Sequence, residues 1–357
     1  MRISPERISK ERSFPKPERG ARRLVRLTWP ALLTVVCAAC STGTAADTGQ
    51  DAAPRAAPSR STGGAATTAF APYVSATTAA PTDSAGAPST YNLAFVVAAD
   101  ADSCTPTWGG TAAYDSAAVK SRTAALAASG ADLRVSFGGA AGTELALACG
   151  SADKLAAAYA KALDAVGATK ADFDIEGGAL TDTASVALRD KALATLQRSR
   201  DLDITYTLPV MPDGLEKTAT AILSDAAEQG VELSAVNIMA MNYSTSDDGD
   251  MGDYARQAAR AAHDQISGIL GLPSAQAWKS LHITAMIGVN DVAAETFTLA
   301  DAAELRRFAR REGVGALSMW AAFRDRPCAA GASTAKASDT CSGVEQKAGA
   351  FAKALAG

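Results

Sequence analysis

The chain has 357 residues, 48% of them apolar and 20% charged, enough for one large domain or two ordinary ones with a sizeable core. A formal net charge of −4 argues against a nucleic-acid binder held by a basic face, and with only two histidines, His263 and His282, a multi-histidine metal centre is excluded. No apolar stretch reaches the ~18 residues that a membrane-spanning helix needs, so any chemistry must come from carboxylates, hydroxyls and aromatic rings.

The charge is uneven along the chain. Residues 1–26 carry a net +6 and the remainder −10. A basic head followed by the apolar run 27–39 predicts an export signal over 1–40. Arg22-Arg23 fits a twin-arginine signal or an ordinary basic head. Cys37-Ala38-Ala39-Cys40-Ser41 resembles a bacterial lipoprotein box, with Cys40 as the lipidated residue and Cys37 where leucine is usual. Cleavage near Ala46, releasing the protein, is the other outcome. The expected location is therefore secreted, or anchored on the outer face of the cell membrane. Residues 41–68 are rich in Ala, Thr, Ser, Gly and Pro with no bulky apolar side chain, which predicts a disordered linker.

From residue 69 to 357, short apolar strands alternate with Ala-rich amphipathic helices. The pattern predicts strands at 70–74, 92–98, 133–137, 171–176, 203–209, 236–243, 282–286 and 315–320. Helices are predicted at 116–128, 152–165, 183–198, 217–229 and 299–311, where apolar residues recur three and four apart. Residues 75–90 are poor helix material, so the first helix is expected to be short or missing. Eight such units predict a parallel sheet closed into a single (β/α)8 TIM barrel. No glycine-rich dinucleotide or phosphate loop is present. Four cysteines remain past the linker. The short Ala/Ser/Gly-rich loop between Cys328 and Cys341 favours that disulfide, leaving Cys104 with Cys149.

The most informative segment is Asp172-Phe173-Asp174-Ile175-Glu176-Gly177-Gly178. Side chains alternate along a strand, so three acids share one face and Phe173 and Ile175 the other. In a barrel the acids point inward. Three acids on one buried face cannot all stay ionised cheaply, because desolvation and like charge raise their pKa values. Glu176 ends the strand, where barrel enzymes keep their active sites. A carboxylic acid held protonated near neutral pH is what general-acid cleavage of a glycosidic bond requires. A row of exposed acids on an edge strand and a carboxylate metal site are the alternatives.

Asp-x-Asp-x-Glu ending the fourth strand resembles the signature of the family-18 glycoside hydrolases, the chitinase family. Ser136-Phe137-Gly138-Gly139 ends the third strand and is similar to that family's Ser-x-Gly-Gly motif. Met241-Asn242-Tyr243 ends the sixth and Trp320 the eighth, again as in the family. The resemblance implies retaining hydrolysis of chitin or chito-oligosaccharide, assisted by the substrate's own 2-acetamido group, with no cofactor and no metal. It implies Glu176 as acid and base, Asp174 orienting the acetamide, Asp172 sharing a proton with Asp174, and Tyr243 bonding the acetamido oxygen. Trp320, Met241, Asn242, Ser136, Gly138, Gly139 and Met286 would line the substrate site. The chain departs from the family at Thr169-Lys170, where Asp-Gly is frequent, and at Ser244, where Asp or Asn is frequent. An endo-β-N-acetylglucosaminidase on N-glycans uses the same logic and is the nearest alternative; a non-catalytic sugar-binding barrel is another, against which the presence of Glu176 argues.

Weaker signals remain. Trp108, in the loop after the second strand, is a candidate sugar-stacking residue or a loop anchor. Trp278 is expected to pack. Asn290 and Asp291 are candidate substrate contacts. The acidic run 247–253 lacks the spacing of a calcium hand and predicts a solvated or subsite-lining loop. A monomer is expected.

Overall fold

The computed structural model describes residues 67–357. The predicted export signal with Cys40, and the predicted linker up to residue 66, lie outside the described residues.

Eight parallel strands close into the expected barrel. They are β1 (Ala69–Phe70 and Tyr73–Ser75), β2 (Thr90–Ala98), β3 (Asp132–Gly138), β4 (Lys170–Asp174), β5 (Asp203–Pro209), β6 (Leu233–Met239), β7 (Leu281–Met286) and β8 (Ala316–Trp320). Each pairs in parallel with the next, and β1 closes the ring. Ala69 is in register with Ala316 of β8, and Tyr73 with Asn92 of β2. β1 is split because Pro72 has no N–H to give to a ladder. No helix follows it; residues 76–89 form turns and bends.

Helices α1 (Ala117–Ala127), α2 (Ala152–Val166), α3 (Thr183–Ser199), α4 (Lys217–Glu228), α5 (Met251–Leu270) and α6 (Leu299–Glu312) follow later strands, and α7 (Ala350–Ala356) ends the chain. Five lie within two residues of their predicted bounds. The sixth, α5, corrects the expectation of a loop over 247–253. Asp250 accepts a hydrogen bond from the Asp253 N–H at 2.7 Å and caps the helix, so the loop stops there. Ala255, Ala258, Ala259, Ala262 and Ile266 form its buried face. His263 on this helix stacks on Trp278 with ring centroids 4.1 Å apart, so Trp278 packs as expected.

Two predicted strands run past their ends. β4 stops at Asp174, but the Ile175 N–H still donates to the Thr207 carbonyl and Glu176 stays extended, so the alternation of faces holds to Glu176. β6 ends at Met239, and 241–243 form a loop in which Asn242 has φ +52°. Both favoured disulfides form, Cys104–Cys149 and Cys328–Cys341, with Cα atoms 4.6 and 4.9 Å apart. Trp108 lies on a short strand, Pro106–Trp108, antiparallel to β2. Its side chain is fully buried and its indole N–H donates to the Tyr114 carbonyl, so it is a core anchor and not a sugar contact.

Outside the barrel, Phe137 and Phe173 stack at 5.1 Å with Tyr159 edge-on to both. Beside them the Arg189 guanidinium of α3 makes a two-pronged ion pair with Glu144, which follows β3, at 2.7 and 2.9 Å. Both partners are buried. Removing one partner of such a pair leaves an unmatched charge in the interior. Arg189→Met is therefore expected to cost about 3–5 kcal/mol in urea unfolding, and adding Glu144→Gln should recover part of it.

Candidate active site

The inner face of β4 builds the site in three tiers. Asp172, lowest, is 1% exposed. Its carboxylate accepts the Thr207 hydroxyl at 2.5 Å and the Tyr73 hydroxyl at 2.8 Å. Thr207 in turn receives the Asn237 amide at 3.0 Å, and Asn237 receives the Thr284 hydroxyl at 2.9 Å. One hydrogen-bonded layer thus joins β1, β4, β5, β6 and β7. Burial raises the Asp172 pKa, while the Thr207, Ser136 and Tyr73 hydroxyls and the Arg134 charge restrain the rise.

Asp174 is in the middle tier. Burial first, then the charges of Glu176, Asp172 and Glu144, push its pKa well above the usual carboxylate range. Glu176 is raised too, by burial, and a hydrogen bond with Asp174 offsets part of that. Both carboxyls are thus pushed toward their neutral forms, and the two titrate as a pair. One Asp174 oxygen, Oδ1, has no partner.

Above these acids opens a cleft of about 360 Å³ at the carboxyl ends of the strands. Asp174, Glu176, Met241, Asn242, Tyr243, Met286 and Trp320 line it, so the structure brings seven of the expected residues together. Trp320 ends β8 with its ring stacked against Phe95 at 5.5 Å and edge-on to Tyr73 at 5.8 Å. Tyr243 is 8% exposed, and its hydroxyl has no partner. Burial, with the charges of Glu295 and Asp247, raises its pKa, so it remains a neutral donor. The Asn242 amide bonds to Asp291, which also lines the cleft. Asn290 instead turns back onto the carbonyls of Met286 and Gly288.

Three expected lining residues do not reach the cleft. Ser136 is fully buried at the level of Asp172, its partner in the β3–β4 register. Gly138 and Gly139 sit behind the wall with φ +93° and +88°. A Cβ on Gly138 would collide with the Asp174 carbonyl oxygen, and one on Gly139 would stand 2.9 Å from the Phe95 ring. Their role is close approach of β3 to the acids, which only glycine permits. Ala140, next in the chain, does line the cleft. Tyr73, Phe95, Thr207, Met239 and Thr284 complete the inner wall, and Pro209, Val210, Met211 and Glu216 supply one side. Alternation along the strands could have identified Thr207 and Thr284. Nothing local marked the loop 209–216. Among the described residues no group of three His, Cys, Asp or Glu side chains is arranged to hold a metal ion.

No family sequence profile matches the chain. It is 35% identical over 221 residues to the "Probable bifunctional chitinase/lysozyme" of Escherichia coli strain K12, covering 58% of this chain and 25% of that protein. It is 34% identical over 223 residues to Endochitinase 11 of Metarhizium anisopliae, covering 58% of this chain and 43% of that one. The chain thus spans under half the length of either curated relative. In structure it is similar to the active domain 2 of a thermostable chitinase from Pyrococcus furiosus, whose catalytic-site mutants were solved with chito-oligosaccharides. The TM-score is 0.72 at 28% identity, over 82% of this chain and 96% of that one. In sequence and in fold the chain is similar to chitinases, in line with the family-18 glycoside hydrolase resemblance of its motifs.

The buried acids carry a stability cost with a definite sign. The folded-state pKa of Asp174 lies above its unfolded value of ~3.9, so stability is lost as pH rises from there through the raised value. Asp174→Asn removes that penalty. Its melting temperature is expected to exceed wild type at pH 7, by roughly 2–4 °C per kcal/mol relieved, and the gain should vanish near pH 3, roughly where the unfolded carboxyl also protonates.

Proposed function

We propose that the chain hydrolyses β-1,4-linked N-acetylglucosamine polymers or oligomers by a retaining, substrate-assisted mechanism. The observation that carries this reading is a buried acid pair with raised pKa values lining a cleft with a buried, unpartnered phenol and an aromatic floor. An acetamido group has one N–H to donate and one carbonyl to accept, matching the free Asp174 oxygen and the Tyr243 hydroxyl. Glu176 protonates the leaving oxygen and Asp174 holds the acetamide. The acetamido carbonyl attacks the anomeric carbon, giving an oxazolinium ion. Glu176 then activates the water that opens it. Trp320 supports the sugar bearing that group.

Glu176→Gln is expected to lower turnover of chitotetraose and chitopentaose by about 10²–10⁴-fold, with wild type unaffected by EDTA. If only EDTA stopped the wild type, a metal mechanism would replace this one. If neither oligomer were cleaved but an N-glycan core were, the glycan endo-enzyme would be favoured.

The relatives leave room for a second polymer, the bacterial glycan with lactyl carboxylates. Cleft charge favours the neutral one, since Asp174, Glu176, Glu216 and Asp291 line it and no Lys or Arg does. Release of products from peptidoglycan strands is expected to be far slower than from soluble chito-oligosaccharide at equal sugar concentration. Equal rates would refute the charge argument.

We further propose export, either as a secreted protein or as a lipoprotein carried on Cys40. Two disulfides support an oxidising destination.

A further inference from the structure

Behind Tyr243 lies a carboxylate that the chemistry above does not use. Glu295, just before the short strand Thr296–Phe297, is 1% exposed, and neither of its side-chain oxygens has an aligned hydrogen-bond partner. It faces the backbone N–H groups of Asn242, Tyr243 and Ser244, which favour its ionised form against the cost of burial. None of those three N–H groups has another partner among the described residues. Asn242 is left-handed, at φ +52°. A left-handed residue in a run turns consecutive N–H groups to one side, the arrangement by which backbone binds anions.

The same two loops are tied in the other direction. The Asn242 side-chain oxygen accepts the N–H groups of Asp291 and Val292 at 2.9 and 3.3 Å. Its amide reaches the Met286 sulfur at 3.6 Å and the Asp291 carboxylate at 3.3 Å. Glu295 is fixed in its own turn, its carbonyl accepting from Asn290 and its N–H donating to Val292. Each loop therefore lends a side chain to the other's backbone. Tyr243 lies in the middle of the N–H run that Glu295 faces.

We propose that Glu295 is a positioning residue, whose carboxylate in the N–H concavity of residues 242–244 fixes the loop that aims the Tyr243 hydroxyl into the cleft. This rests on the substrate-assisted reading, in which Tyr243 meets the acetamido oxygen. Loss of the carboxylate removes the charge facing three otherwise unpartnered N–H groups and lets the phenol drift from the position that the transition state needs. A misplacement of about 1 Å is enough to cost about 10²-fold.

A double-mutant cycle separates this from simple structural support. Wild type, Glu295→Ala, Tyr243→Phe and the double variant are compared for kcat and KM on chitotetraose, with hydrogen exchange at amides 242–244 followed in each. Glu295→Ala is expected to lower kcat by about 10²-fold with KM changed under about threefold. In the Tyr243→Phe background the same change should cost under about threefold, because two residues acting through one contact are not additive. Glu295→Gln, which keeps the size and one acceptor oxygen, should restore part of the rate. Amides 242–244 should lose protection in Glu295→Ala while the barrel strands keep theirs. Equal losses in both backgrounds, or unchanged exchange at those amides, would overturn the proposal. If Glu295→Ala does not fold, Glu295→Gln carries the cycle: a smaller loss of kcat in the Tyr243 background, and none beyond about threefold in the Tyr243→Phe background, is expected, and equal losses in both would overturn the proposal. A wild type inactive on chitotetraose would defeat the functional reading, while hydrogen exchange alone would still decide whether the carboxylate holds the loop.

Discussion

Three carboxyl groups on one inward strand face are the constraint around which the barrel is organised. No strand can bury three free anions at two-residue spacing, so each acid is accommodated differently. Asp172 is kept by hydroxyl donors from two other strands. Asp174 is kept by a pKa that burial and neighbouring charge push well above the carboxylate range, which favours its neutral form. Glu176, partly exposed at the strand end, is kept by the cleft itself. The polar layer of Thr207, Asn237 and Thr284 follows from this. An apolar layer there would have left Asp172 without solvation. Gly138 follows as well, since the third strand must pass close behind the carbonyl of Asp174.

How far this could be read beforehand depended on whether the cause was local. Period-two alternation placed Asp172, Asp174 and Glu176 on one face. That reading holds even though β4 ends at Asp174, because the backbone stays extended beyond it. Trp108 stays open between sugar contact and anchor in the sequence because its surroundings, Cys104-Thr-Pro-Thr-Trp108-Gly-Gly, look like a loop. What buries it is antiparallel pairing with Val96 of β2, which local composition does not encode. Ser136, Gly138 and Gly139 were legible as a motif but not in their role. They act one layer behind the surface they shape. The long helix Met251–Leu270 was hidden by acids and glycines at its start, although the small apolar residues along it recur at helical spacing.

The barrel and its upper loops divide the work. Strand ends supply acids and aromatics on backbone fixed by pairing to both sides. Loops supply Tyr243, Asn242, Asp291 and Glu216, whose positions no ladder enforces. Loop residues therefore need fastening of another kind, and the structure uses the Asn242 side chain on the backbone of 291–292, to which the proposed role of Glu295 would add a tie back to 242–244. This gap of about fifty residues in sequence is spanned by short, polar contacts and not by apolar packing, because packing alone would not fix the direction of a single hydroxyl.

This division also explains why strong chemistry and modest exposure coexist at the site. Burial is what raises the acids into the range where one proton can be held and then given up. The same burial leaves the Asp174 Oδ1 oxygen and the Tyr243 hydroxyl without partners. In the proposed reading a planar amide would meet both at once, with its N–H toward the acid and its carbonyl toward the phenol, so that holding an acetamido sugar and using it as a nucleophile would share one physical origin.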